Sequence, residues 1–210
     1  MFVASHIGRR VVQTSSVRTL SSTTSLIVNV VGIDRPGIVG DVTKNITTHG
    51  GNVGESLATR LGAHFSLMML LETPNDNVES LKFSIKNMDD INATFFNAEE
   101  TTSADPVIGY TGFLNLEGAD NPGIVYKVTN LLARHNLSIQ KMKTSDEIAP
   151  HGGATLFHMQ AVVHAFEPMA REFDISKVQS DLEAVGDSLN CNISLEPMQE
   201  NDDFEVRFGS

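Results

Sequence analysis

Two short segments carry the residue types best suited to chemistry: Asp34-Arg35-Pro36-Gly37-Ile38-Val39 and Asp120-Asn121-Pro122-Gly123-Ile124-Val125. Proline fixes φ and gives up an N–H that a helix start leaves unused. Glycine has no Cβ, so a ligand can approach its backbone closely. The N–H groups of Gly37, Ile38 and Val39, and of Gly123, Ile124 and Val125, are expected to point out of a helix start. With the helix dipole they form a site for a carboxylate. A free amino acid also needs an acceptor for its ammonium group, and Asp34 or Asp120 supplies one. The same residues suit a plain helix cap. A duplicated cap would recur as readily as a duplicated site, so recurrence does not separate the two readings.

The other candidates are weaker. His158 and His164 are expected on one face of a strand, but six residues along a strand span roughly 20 Å, too far to share one metal ion. His49 and His135 fall at matching helix ends, where imidazole commonly completes the last turn. His151-Gly152-Gly153 reads as a loop turn, Cys191 as a core thiol, and Met68-Met69 and Phe95-Phe96 as packing. An enzyme reading would need Glu55, Arg60 and His64 gathered into a cluster by neighbouring strands, and these residues suit a solvated strand face equally well. No nucleophile elbow, zinc-protease helix, P-loop or dinucleotide fingerprint occurs. The expectation is therefore no catalytic residues, no cofactor and no metal.

The elements that position these turns are written twice. Residues 27–53 and 113–139 align without a gap at an offset of 86, with ten identities in 27, from Asn29/Asn115 and Gly32/Gly118 to His49/His135. Such self-similarity marks a duplicated unit. Leu26–Val31 is apolar and β-branched, which predicts a strand. Ile38, Val42 and Ile46 then recur at helical spacing until Gly50-Gly51 ends the helix. Strands are expected around Val53–Thr59 and Ala63–Leu71, a helix over Asn75–Met88, and a last strand near Ala93–Ala98. The second copy repeats the order with strands at Ile108–Leu116, Leu137–Lys143, Thr155–Ala165 and Asn192–Leu195. Its helices are expected over Pro122–His135 and along the stripe Ile175, Val178, Leu182, Val185, Leu189. The turn at Leu61-Gly62 becomes a polar loop over Thr144–Gly153.

The order β-α-β-β-α-β predicts an α+β fold: two tandem ferredoxin-like units, each an antiparallel sheet with helices on one face. The expected boundaries are 26–98 and 107–198, a linker at 99–106, and a charged tail at 199–210. A sheet covered on one face leaves its other face and its edge in search of a partner, so pairing of the copies or homo-oligomerisation is expected.

With these motifs in place, the sequence resembles tandem ACT-domain proteins, and among them the glycine cleavage system transcriptional repressor family of bacteria. The likeness runs from about residue 26 to 197. It is carried by Gly32-Ile33-Asp34-Arg35-Pro36-Gly37-Ile38-Val39, by Glu55-Ser56-Leu57-Ala58-Thr59-Arg60-Leu61-Gly62, and by Phe65-Ser66-Leu67-Met68-Met69-Leu70-Leu71. The resemblance implies an amino-acid-sensing regulatory module with ligands where ACT units pair. Its candidate contacts are Asp34, Pro36, Gly37, Ile38 and Val39, with Asp120, Pro122, Gly123, Ile124 and Val125. It also implies action through a partner protein rather than on DNA directly. Asn121 stands where the first copy has Arg35, so the two copies are expected to differ in affinity, or only one of them to bind.

Composition fits a regulator without nucleic acid. The 210 residues carry 15 Lys+Arg against 26 Asp+Glu, a formal net charge of −11, opposite to the basic footprint that phosphate binding needs. One cysteine excludes an intramolecular disulfide framework. The longest apolar run, Leu67–Leu71, is far short of a membrane span. Residues 1–25 contain Arg9, Arg10 and Arg18, many Ser and Thr, and no Asp or Glu. That is the composition of an organellar transit peptide, with the mitochondrion expected and a plastid the alternative.

Overall fold

The structure, a computed structural model, describes residues 22–98, 106–148, 155–169 and 173–198. The chain divides into two compact units between Thr102 and Ser103.

The first unit runs β1 (Thr23–Ile33), α1 (Ile38–Thr48), β2 (Asn52–Leu61), β3 (His64–Pro74), a 3-10 turn at Asn75–Asn77, α2 (Val78–Lys86) and β4 (Ile91–Asn97). Its sheet has the order β2-β3-β1-β4, with every pairing antiparallel. The second unit runs β5 (Ile108–Ala119), α3 (Ile124–Arg134), β6 (Ser138–Ile148), β7 (Thr155–Phe166), α4 (Ile175–Leu189) and β8 (Cys191–Pro197). Its order, β6-β7-β5-β8, is the same topology, again antiparallel throughout. Both units are thus ferredoxin-like α+β folds.

Period-two patterning builds each sheet. In β1, Leu26, Val28 and Val30 are buried, while Val31 and Ile33 are exposed. In β3, Leu67, Met69 and Leu71 are buried, whereas Met68 and Leu70 point the other way. Helical stripes close over the buried face: Ile38, Val42 and Ile46 of α1 with Leu81 and Ile85 of α2. The second core repeats this with Ile124, Val128 and Leu132 of α3 and Val178, Leu182 and Leu189 of α4. Gly32 and Gly118, one of the identities between copies, have a packing reason. A Cβ at Gly32 would collide with the Asp90 carbonyl, and one at Gly118 with Cys191.

Several boundaries differ from the sequence expectation, three of them with a visible cause. First, β1 begins at Thr23 rather than residue 26, and the Thr24 hydroxyl donates to Asn75 Oδ1 at 2.7 Å. Second, the helix expected from Asn75 starts at Val78, because Asn75 and Asn77 use their amides to tie Ser22 and the His49 carbonyl. Third, the polar segment from Thr144 is strand as far as Ile148, paired with β7 from Thr144↔Met159 to Ile148↔Thr155. Cross-strand pairing overrides the turn-forming composition there. The rest of that loop, including His151-Gly152-Gly153, lies outside the described residues, as do most of the expected linker, the tail from residue 199, and residues 1–21.

Candidate binding site at the paired Pro-Gly turns

Each unit passes from its first strand into its first helix through the same tight turn. Gly37 has φ 87° and ψ −4°, and Gly123 has φ 85° and ψ 6°. Proline at the second turn position and left-handed glycine at the third make a type II turn. The closing bond runs from the Ile38 N–H to the Arg35 carbonyl at 3.4 Å, and from the Ile124 N–H to the Asn121 carbonyl at 3.1 Å. The next bonds belong to the helix: the Asp41 N–H donates to Gly37 O and the Lys127 N–H to Gly123 O.

This corrects the expected amide set. Ile38 and Ile124 spend their N–H groups inside the turn and their side chains in the two cores. In the residues that follow each proline, the N–H groups of Gly37, Val39 and Gly40, and of Gly123, Val125 and Tyr126, have no main-chain partner. Gly40 and Tyr126 were missed in the sequence reading. The turn signature itself was the usable signal, because a Pro-Gly type II turn spends the N–H that follows the glycine.

Neither helix start carries a side-chain cap. By contrast, α4 begins at Asp174, whose carboxylate accepts the Ser176 N–H at 2.9 Å. The plain-cap reading of the aspartates therefore fails at α1 and α3. Pro36, Gly37 and Val39 are exposed, as are Pro122 and Gly123, and Val125 is half-buried. Two open clusters of main-chain donors result, each backed by a helix dipole.

The flanking charges differ between copies. The Asp34 N–H donates to Ala63 O at 2.9 Å, and its carboxylate lies 3.4 Å from Arg60 Nε at the β2–β3 hairpin. Arg35 meets Asp41 at 2.7 Å. In the second unit Asp120 is exposed, and Asn121 donates to the carbonyls of Ala119 and Leu189. The first turn thus sits among four charged groups, whereas the second is pinned to the end of α4.

The other candidates do not converge. Arg60 pairs with Phe65 and Leu61 with His64, so Arg60 and His64 face opposite sides of the sheet, while Glu55 lies in a β-bulge about 16 Å along the strand from Arg60. His49 Nδ1 lies 2.8 Å from the Asn45 carbonyl and completes its helix, as expected. His135 instead reaches Asp181 on α4 at 2.9 Å. His158 Nε2 is 3.8 Å from Glu147 Oε2, and burial holds the His164 pKa below the ordinary imidazole value. Burial raises the Cys191 thiol, which disfavours the thiolate a nucleophile needs. Among the described residues no three His, Cys, Asp or Glu side chains gather to hold a metal, and no helix is long and apolar enough to cross a membrane.

Comparison with known proteins bears on the fold that carries these turns. Residues 24–90 match the ACT domain family, which takes in the first unit through the end of α2. Over 178 residues, 84% of this chain and 92% of the relative, the sequence is 23% identical to the glycine cleavage system transcriptional repressor of Escherichia coli K12. The crystal structure of an unknown protein from Galdieria sulphuraria superposes with a TM-score of 0.69 at 27% identity, covering 85% of this chain and 100% of that one. A candidate glycine cleavage system transcriptional repressor of known crystal structure gives 0.59 at 20% identity, over 85% and 99%. The first unit matches the ACT domain family, the second repeats its strand order, and the chain as a whole resembles the glycine cleavage system transcriptional repressor over most of its length.

Proposed function

We propose that the chain is a non-enzymatic regulator that binds a small amino acid, glycine or a close analogue, at its Pro-Gly turns where ACT units pair, and signals occupancy to a partner protein. The observation that carries this reading is the pair of uncapped amide clusters at Gly37, Val39 and Gly40 and at Gly123, Val125 and Tyr126. The ligand carboxylate sits on these amides beside Pro36 or Pro122, and Asp34 or Asp120 accepts from the ammonium. Ile38 and Ile124 anchor each turn in its core. The ligand acts by favouring one packing of the units over another, and the partner reads that difference. Glycine has about five heavy atoms, and a ceiling of about 1.5 kcal/mol per atom limits its affinity to the low micromolar range.

A thermal-shift screen of the full chain against the common amino acids tests the reading. A ligand present at 100 times its Kd stabilises by about 2.7 kcal/mol, so at least one amino acid must raise the melting temperature at millimolar concentration. A flat response to all of them contradicts it.

A second reading, ligand-independent docking or dimerisation, is favoured by the open sheet face of the first unit. Leu57 and Phe96 are 62% and 60% exposed there, beside Met68, Leu70 and Val31. Under it, association is unaffected by amino acids. The acid-free, arginine-bearing residues 1–25 support import into an organelle, the mitochondrion first and a plastid second. A fluorescent protein fused after residue 25 is then expected to reach mitochondria, and one that stays diffuse excludes this location.

A further inference from the structure

Apart from the turn amides, the first unit holds a groove of about 380 Å³ between α1 and the segment joining α2 to β4. On the α1 side Asp41, Lys44, Asn45 and Thr48 line it, at positions that share one face of a helix. Asn87, Met88 and Asp89 form the facing wall, and Arg35 closes the end nearest the turn. The walls are fixed by Asn45, which accepts from Ser84 on α2 and donates towards Met88 Sδ at 3.4 Å.

The charges in this groove divide into a satisfied pair and an open pair. Arg35 and Asp41 neutralise each other at 2.7 Å. Among the described residues Lys44 and Asp89 have no ion-pair partner. A free cation on one wall and a free anion on the other match a dipolar, net-neutral molecule better than an ion of either sign.

The duplicated unit supplies an internal control. Asn121 replaces Arg35, and Leu131 replaces Asn45. On the second wall, aligned by the left-handed Asp90 and Asn190 that precede β4 and β8, Leu189 replaces Asp89. Leu189 is buried in the second core, Leu131 packs against it, and Asn121 is bonded to the Leu189 carbonyl at 2.8 Å. The fold therefore accepts apolar residues at two of these positions, Leu131 and Leu189, and gains buried surface from them. The first unit forgoes that gain and keeps the space polar.

We propose that this groove is a second ligand site, confined to the first unit, for a zwitterionic amino acid larger than glycine, with its carboxylate on Lys44 and its ammonium on Asp89. The volume falls in the lower part of the small-ligand range of roughly 300–1,000 Å³. Acceptor oxygens of Thr48 and Asn87 suit a polar side chain. The site needs no pairing between units, so it stands or falls apart from the turn reading.

Amide-resolved NMR of the full chain titrated with L-glutamine, glycine and N-acetyl-L-glutamine tests it. Saturable shifts at Lys44, Thr48, Asn87 and Asp89 are expected with L-glutamine. N-acetyl-L-glutamine, which lacks the ammonium, binds these residues at least about tenfold more weakly, as does glycine. Asp89→Leu, which installs the residue of the second unit, and Lys44→Gln each weaken L-glutamine by a similar factor. Both replace exposed side chains, and retained chemical-shift dispersion shows that they fold. No shift at these residues at millimolar concentration overturns the proposal, as does an equal response to N-acetyl-L-glutamine or binding unchanged in both variants. Shifts confined to Gly37–Gly40 and Gly123–Tyr126 overturn the groove and leave the turn site standing.

Discussion

Gly37 and Gly123 hold φ values that L side chains rarely adopt, and a Cβ at either would meet nothing within 4 Å. The cost of a side chain there is therefore conformational and not steric. Gly37→Ala and Gly123→Ala are each expected to lower stability by about 1–2 kcal/mol, read as a lower urea midpoint at unchanged slope. An unchanged midpoint would show that the turn is not held in this geometry. Tyr110 makes a contrasting case. Burial pushes its pKa to about 12, its hydroxyl is buried without a partner, and its ring packs on Phe173 at 5.4 Å. A buried unpaired hydroxyl costs about 1–3 kcal/mol, so Tyr110→Phe should leave the melting temperature unchanged or raise it. The Pro-Gly turns were legible at this scale because their geometry is local. The Asp34–Arg60 contact was not, since it depends on how a hairpin 26 residues further along folds back over the strand end.

At the scale of elements, the helices were legible from spacing alone: Ile38, Val42 and Ile46 are buried as one stripe, and Ile124, Val128 and Leu132 repeat it. Leu132→Ala is expected to cost about 2–5 kcal/mol, far more than a substitution at exposed Tyr126 on the same helix. The extension of β6 to Ile148 was not legible, because the polar run Thr144–Glu147 acquires strand structure from pairing with β7 and not from its own propensity. Burial of His164 on β7 has a pH consequence. Its folded pKa is depressed, so below the unfolded value of about 6.5 the unfolded chain binds a proton that the folded chain resists. The second unit should lose stability as pH falls through 6.5 towards the folded pKa, and His164→Gln should flatten that dependence between pH 7 and 5. An equally steep loss in the variant would place the sensitive group elsewhere.

For the molecule as a whole, duplication was the most legible feature, and it also exposes what has diverged. The two sheets share one strand order, yet the first turn stands among charged side chains while the second is bonded to the end of α4. The copies are therefore expected to bind unequally, with the first turn the more responsive to charge substitutions such as Asp34→Asn. The most direct test of the central claim is calorimetric titration of an amino acid that raises the melting temperature into three proteins: the unaltered chain, Val39→Pro and Val125→Pro. Proline in the first helical turn deletes one open amide while the helix tolerates it. The account predicts binding heat for the unaltered chain and weakening of about tenfold or more in at least one variant, the cost of about 1.4 kcal/mol for a lost charge-assisted hydrogen bond. Identical heats and affinities in all three folded proteins would contradict it.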